Sequence, residues 1–230
     1  MRVFIGWDSR EEIAYEVAKH SLLRNASIDV EVTAIKQNDL ISQGLYTREI
    51  DPLASTEFTY TRFFTPHLAG YKGWAVFCDC DFLFFGDVAE LLQYQDPDMA
   101  VCCVKHDYTP KETTKMDGVV QTQYPRKNWS SLMMFNCDHP STKTLTPDLV
   151  NSESGAYLHR MQWAQDNEIG EIPTVWNWLE GWNTVDQDGF PKVVHHTRGG
   201  PWFEEYQDVE FAKEWLEEAE AVYEKGILPR

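Results

Sequence analysis

The stretch Ala75-Val76-Phe77-Cys78-Asp79-Cys80-Asp81-Phe82-Leu83-Phe84-Phe85-Gly86-Asp87 decides how this chain is read. An apolar run of strand length ends in two carboxylates one residue apart, and a second apolar run follows. An unpaired carboxylate inside a core strand costs several kcal/mol or more, so Asp79 and Asp81 are expected where the strand leaves its sheet. In an open α/β sheet that carboxyl edge is where ligands bind. Two carboxylates there suit a hard divalent cation, which commonly brings a phosphate-bearing ligand with it. The plainer reading of the same residues is a strand-end turn with solvated aspartates.

Outward from this stretch the pattern is α/β. Residues 3–5 read as a first strand closed by Gly6-Trp7-Asp8. Residues 10–23 carry Ile13, Ala14, Val17, Ala18 and Leu22 at helical spacing, behind Ser9 as N-cap and with Glu11 and Glu12 in the first turn. Residues 29–35 alternate as a second strand. This is a βαβ unit whose first loop opens at the carboxyl edge, without the Gly-x-Gly-x-x-Gly dinucleotide fingerprint.

Further on, 36–56 is polar and irregular, and 58–68 reads as a helix with Pro66 near its end. A short helix is expected at 88–93 and strands at 99–105 and 132–135. Thr146-Pro147 and Ser154 mark helix starts, the second with Tyr157, Leu158, Met161 and Ala164 as its apolar face. The long polar segment 106–128 reads as a lid or acceptor-side loop, with an ordinary surface excursion as the alternative. Residues 192–196 form a short strand ending in His195-His196, and 209–225 an amphipathic helix stopped by Gly226. The expected organisation is one domain over 1–230. It divides into 1–105, 106–205 and a C-terminal helix at 206–230.

Composition narrows the function. The chain has 230 residues, 43% hydrophobic and 13% aromatic, which excludes a disordered chain. A formal net charge of -17 argues against general nucleic-acid binding, and an anionic substrate would need local help from a metal or from Arg and Lys. The five cysteines are odd in number and mostly lie in apolar runs, which reads as reduced thiols in a cytosolic protein. Cys78-x-Cys80 has no Cys-x-x-Cys partner, which argues against zinc. With no signal sequence and no transmembrane stretch, a soluble, cytoplasmic protein is expected.

Other residues offer chemistry. Alternate residues of a strand point to opposite faces, so either His195 or His196, not both, can join the aspartates in a ligand set for manganese or magnesium. The plainer reading is a buried, hydrogen-bonded histidine. Gly199-Gly200 would let backbone amides approach an anion, or simply make a turn. Arg62 has a diphosphate, a sugar hydroxyl or Asp79 itself within its chemistry. Trp176, Trp178 and Trp182, around Asn177 and Glu180, form either core or a polar-lined aromatic wall for a sugar ring or base.

In order, these motifs resemble the GT-A fold glycosyltransferases, and among them family 8, the glycogenin and bacterial galactosyltransferase type. The resemblance runs through Val3-Phe4-Ile5-Gly6-Trp7-Asp8, Tyr60-Thr61-Arg62-Phe63-Phe64-Thr65-Pro66 and Phe77-Cys78-Asp79-Cys80-Asp81. It continues through Ser130-Ser131-Leu132-Met133-Met134-Phe135-Asn136, the segment 173–177, and Val193-Val194-His195 with Gly199-Gly200-Pro201-Trp202. It implies a single-domain, Rossmann-like GT-A fold with a mixed, mostly parallel sheet flanked by helices, and a UDP-sugar donor. Asp79, Asp81 and His195 would hold the divalent metal, usually manganese, against the diphosphate. Gly6, Trp7 and Asp8 would lie at the uracil and ribose, and Arg62 would reach the donor sugar or phosphate. Cys80, Asn177, Arg198, Gly199, Gly200 and Trp202 would complete the donor site.

The chain departs from the family where the terminal lysine is missing, with Arg198 or the Gly199-Gly200 amides in its place. The Asp-Gln pair near the donor sugar is not evident, and the Asn-Ser-Gly strand reads Ser-Ser-Leu. The expected activity is retaining transfer of a hexose from UDP-glucose or UDP-galactose to an acceptor hydroxyl on a sugar, lipid or protein. Arg62 assists, and Glu180 is the candidate if a nucleophile exists. A nucleotidyltransferase using the same aspartates and a non-catalytic sugar-binding module are the competing readings. The first lacks its Gly- and Lys-rich loop between Gly6 and Glu11, and the second needs no metal.

Overall fold

The computed structural model describes residues 1–50, 54–107 and 126–228, so most of the segment read as a lid, 108–125, lies outside the described residues. The strands are β1 (Arg2–Gly6), β2 (Glu31–Ile35), β3 (Trp74–Cys78), β4 (Phe82–Phe84), β5 (Val101–Cys103), β6 (Leu132–Asn136), β7 (Ile169–Glu171), β8 (Trp178–Leu179) and β9 (Val193–His195).

The larger sheet has the order β2-β1-β3-β6-β5-β7. β1 runs parallel to β2 and β3, and β5 parallel to β7, while β6 lies antiparallel to both β3 and β5. Only β6 therefore runs against the rest. The carboxyl ends of β1, β2, β3, β5 and β7 open along one edge, beside the amino end of β6. The sequence explains the placement: β3 and β6 are apolar and buried along almost their whole length, as inner strands must be, whereas β2 alternates exposed Glu31 and Thr33 with more covered neighbours, as an edge strand can.

The smaller sheet, β4-β9-β8, starts immediately after the aspartates. Phe82 of β4 pairs with His195 of β9, and the His196 amide donates to the Asp81 carbonyl at 3.0 Å. Asp79-Cys80-Asp81 is thus the joint between two sheets. Phe82, Phe84 and Val193 pack into the main core, while Leu83, Val194 and Trp178 pack with Ala14 and Val17 and with Trp215, Ala219 and Val222 of the C-terminal helix. The all-apolar run 82–85 follows from this, since both faces of β4 are covered.

The first helix spans Glu12–Asn25 and the C-terminal helix Ala212–Glu224, the latter closed by Gly226 in a left-handed conformation at φ 65°. Ser9 is not the N-cap of the first helix. The Asp8 carboxylate takes the Arg10 amide at 2.9 Å, and the Ser9 hydroxyl turns away to Glu57. The helix expected over 58–68 is broken into a 3-10 turn, Thr61–Phe64, and a single helical turn, Thr65–Leu68. Pro66 has no N–H to give the Arg62 carbonyl four residues back, and the Thr65 hydroxyl bonds that carbonyl at 2.8 Å instead. Thr146 and Ser154 cap their helices as expected, accepting from the amides of Leu149 and Tyr157. The second of these helices holds Tyr157 and Leu158 of the expected face but stops at His159, short of Met161 and Ala164.

Candidate functional site

Among the described residues, Asp79, Asp81 and His195 each offer one ligand atom, and these atoms lie within 4.8 Å of one another. Three elements bring them together: Asp79 follows β3, Asp81 precedes β4, and His195 ends β9 opposite Phe82. Their side chains are 13%, 18% and 3% exposed, so the cluster is walled in yet reachable from solvent. His195 Nε2 lies 3.3 Å from Asp81 Oδ2. Two carboxylate oxygens and an imidazole nitrogen suit a divalent cation such as manganese or magnesium.

Arg62 pairs with Asp79, one of the three partners its chemistry allows. Its Nη1 lies 2.7 Å from Asp79 Oδ1 and 2.9 Å from the Ser130 carbonyl, and its Nε donates to the Phe58 carbonyl at 3.2 Å. The guanidinium sits between the rings of Phe58 and Phe77, 5.2 Å from each. The side chain is therefore fixed on three sides, and orients one edge of the cluster.

Strand alternation separates the two histidines. His195 is in the cluster, with Nδ1 at 2.9 Å from Asn177 Oδ1. His196 faces the opposite side, against Trp202 and the Glu210 carbonyl, and burial pushes its pKa down to about 4.

Asp8, just after β1, is held by its own chain. Its buried carboxylate is engaged by Arg10 Nε and Nη2 at 3.0 and 2.8 Å, and by the amides of Arg10 and Glu57. Burial raises its pKa, and these hydrogen bonds more than reverse that, leaving it below the usual carboxylate value. Trp7 lies under the Lys36 ammonium, 4.4 Å from its ring centre. Gly6 is overlain by Phe58, whose ring would meet a Cβ at 2.4 Å. Cys80 is wholly buried, with its thiol toward Glu11 and its pKa well above normal from burial, so it offers no reactive thiolate.

Glu11 is a group that the sequence reading placed only in a helix turn. It is 3% exposed, and burial, reinforced by the charges of Asp81 and Asp8, raises its pKa to about 8. Its third place after Asp8, on a loop opening at the ligand edge, is the signal that marks it.

Among the His, Cys, Asp and Glu side chains of the described residues, Glu180 is outside the Asp79–Asp81–His195 group. The Glu180 amide donates to the His195 carbonyl at 3.1 Å, while its side chain lies near His196. Its carboxylate accepts from Arg198 Nη2 at 3.0 and 2.8 Å and from the Glu210 amide at 3.4 Å. Gly181, at φ 72°, leaves room for that guanidinium, which a Cβ would meet at 2.2 Å. The Gly199 amide donates to the His196 carbonyl at 3.0 Å, and the Trp202 indole fills the space over Gly200. The close approach that these glycines permit is made by a ring and a carbonyl of the chain itself. Asn177, expected at the ligand, is wholly buried behind His195.

No family model matches the chain. It is 58% identical over 222 residues to Protein CDI of Arabidopsis thaliana, a match covering 95% of this chain and 86% of that protein. Among solved structures it superposes on the bifunctional glycosyltransferase WbbM with a TM-score of 0.67 at 17% identity, covering 95% of this chain and 49% of that one. The chain thus spans about half the length of WbbM. It superposes on the galactosyltransferase LgtC, solved with donor and acceptor sugar analogues, with a TM-score of 0.61 at 11% identity over 96% of each chain. At such identities the likeness is one of fold: the mixed, mostly parallel α/β architecture expected from the sequence is that of GT-A glycosyltransferases. Among the described residues no helix is long and apolar enough to cross a membrane.

Proposed function

Starting from a chain that belongs to the family of Protein CDI of Arabidopsis thaliana, we propose that it is a metal-dependent glycosyltransferase. It moves a hexose, glucose or galactose, from a UDP-linked donor to an acceptor hydroxyl with retention of configuration, in the manner of family 8, and 1–230 is its catalytic domain. The observation that carries this reading is the convergence of Asp79, Asp81 and His195, from three separate elements, at the ligand edge of a sheet shared with glycosyltransferases.

These three side chains would hold Mn2+ or Mg2+. When bound, the cation offsets the negative charge that grows on a departing diphosphate. Arg62, clamped by Phe58 and Ser130, keeps Asp79 pointing into the cluster. Trp7, which follows β1 with Lys36 over its ring, would lie at the nucleoside. The acceptor hydroxyl enters on the face that the leaving group vacates, and a leaving phosphate oxygen takes its proton. No protein nucleophile is needed, and the engagement of Glu180 by Arg198 supports that route.

A thermal-shift screen of nucleotides with and without Mn2+ tests the reading. UDP is expected to stabilise the wild type only when Mn2+ is present, and Asp81→Ala to abolish that shift while melting normally. Preference for nucleoside triphosphates would point to nucleotidyl transfer, and stabilisation by free sugar alone to a binding module.

A further inference from the structure

We infer that Asn177, anchored by Ser131, is a positioning residue that fixes His195 as the tautomer whose Nε2 lone pair faces the aspartates, an assignment that deepens the metal-site reading and rests on it.

A backbone carbonyl can only accept. The Asn128 carbonyl receives the Ser131 hydroxyl at 2.7 Å and lies 3.3 Å from Asn177 Nδ2. With its proton committed there, Ser131 Oγ accepts from Asn177 Nδ2 at 2.8 Å. The amide nitrogen of Asn177 is thereby assigned, and its oxygen must be the atom 2.9 Å from His195 Nδ1. An amide oxygen also only accepts, so Nδ1 of His195 carries the hydrogen. In a neutral imidazole this leaves Nε2 as the bare nitrogen, and Nε2 is the atom that faces Asp81.

Burial makes the relay rigid. Asn177, His195 and Ser131 are 0%, 2% and 3% exposed, so water does not compete for these bonds. The Phe82 ring lies 4.6 Å from the imidazole centre and blocks its rotation. Asn128 holds its carbonyl in place through a left-handed backbone, φ 64°, which asparagine tolerates better than most residues. The apparent mismatch at Ser130-Ser131-Leu132 then has a role in this chain, because Ser131 supplies the hydroxyl that orients Asn177. Metal-bound histidines commonly depend on such a partner for ring orientation and basicity.

The test uses the full chain, metal-free, with two readouts. Nitrogen-15 spectra of histidine-labelled wild type, recorded as pH is raised until the ring is neutral and with His195 assigned by the signal lost in His195→Gln, should show the Nδ1–H tautomer. Calorimetric titration with Mn2+ alone should then show Asn177→Leu binding roughly 10- to 100-fold more weakly, the range typical for loss of such a partner. Asn177→Asp, which still accepts from Nδ1, should stay within a few-fold of wild type. If Asn177→Leu does not fold, Ser131→Ala carries the same test, with weaker Mn2+ binding and mixed tautomers expected at an unchanged melting temperature. An Nε2–H tautomer in the wild type, or folded Asn177→Leu or Ser131→Ala with undiminished Mn2+ affinity, overturns the inference. A wild type that shows the Nδ1–H tautomer but binds no Mn2+ overturns the metal-site reading instead, so the two failures are distinguishable.

Discussion

Arg62 and Asp79, 17 residues apart in sequence, meet in a buried ion pair of 2.7 Å at the joint between the two sheets. Removing one partner of a buried pair leaves the other charge uncompensated, which typically costs about 3–5 kcal/mol. Arg62→Ala should lose stability on that scale in urea denaturation. Arg62→Lys should lose less, since a point charge cannot also reach the carbonyls of Phe58 and Ser130. Because the orphaned Asp79 needs a counter-charge, Mn2+ should raise the melting temperature of Arg62→Ala more than that of wild type. An equal rise in both would detach Asp79 from the metal.

Acid should destabilise the fold through two histidines. Burial lowers the pKa of His196 to about 4, and burial with the nearby charge of His195 lowers that of His106 to about 3. Both are neutral in folded and unfolded chains above pH 6.5 and contribute nothing there. Below it the unfolded chain takes up protons that the folded one refuses, so stability falls as pH drops toward 4. The slope is about 1.4 kcal/mol per pH unit for each histidine. His196→Phe, with its ring kept beside Trp202, should remove about half of that slope in melting experiments.

Glu11 works on the opposite limb. Its folded pKa of about 8 lies above the unfolded value of 4.5, so the folded state holds the proton more tightly. Its contribution is complete below pH 4.5 and is lost as pH rises to 8. In metal-free protein, Glu11→Gln should leave the melting temperature unchanged near pH 4.5 and raise it at pH 8, by about 4 kcal/mol in stability. An equal effect at both values would contradict the burial argument.

Gly6 packs against Phe58, which links the β1 loop to the cluster. A Cβ there would stand 2.4 Å from the buried Phe58 ring, and Phe58 in turn holds Arg62 through its carbonyl. Gly6→Ala should cost about 1–3 kcal/mol, as overpacking does. It should also weaken metal-dependent UDP binding. Loss of stability with UDP binding untouched would place the nucleotide elsewhere.

Much of this arrangement was legible because it rests on local signals. The apolar run into Asp79-Cys80-Asp81 could only be a strand leaving a sheet, and Thr146 and Ser154 announce their helices. Alternation along β9 showed that one histidine had to be excluded, though not which. What stayed hidden depends on partners distant in sequence. Glu180 and Arg198 each looked available, and the structure binds them to each other across the turn that Gly181 permits. Asn177 looked like a ligand contact because nothing local shows that Ser131 and His195 enclose it. The second sheet was invisible because β4 is covered on both faces and so carries no alternation.

The decisive measurement is a titration of UDP into the wild-type chain with Mn2+ and with EDTA, repeated for Asp81→Asn and His195→Gln. The prediction is binding by the wild type in Mn2+, none in EDTA, and none by either variant at wild-type melting temperature. UDP binding of equal strength in EDTA, or Mn2+-dependent binding that survives both substitutions, would contradict it.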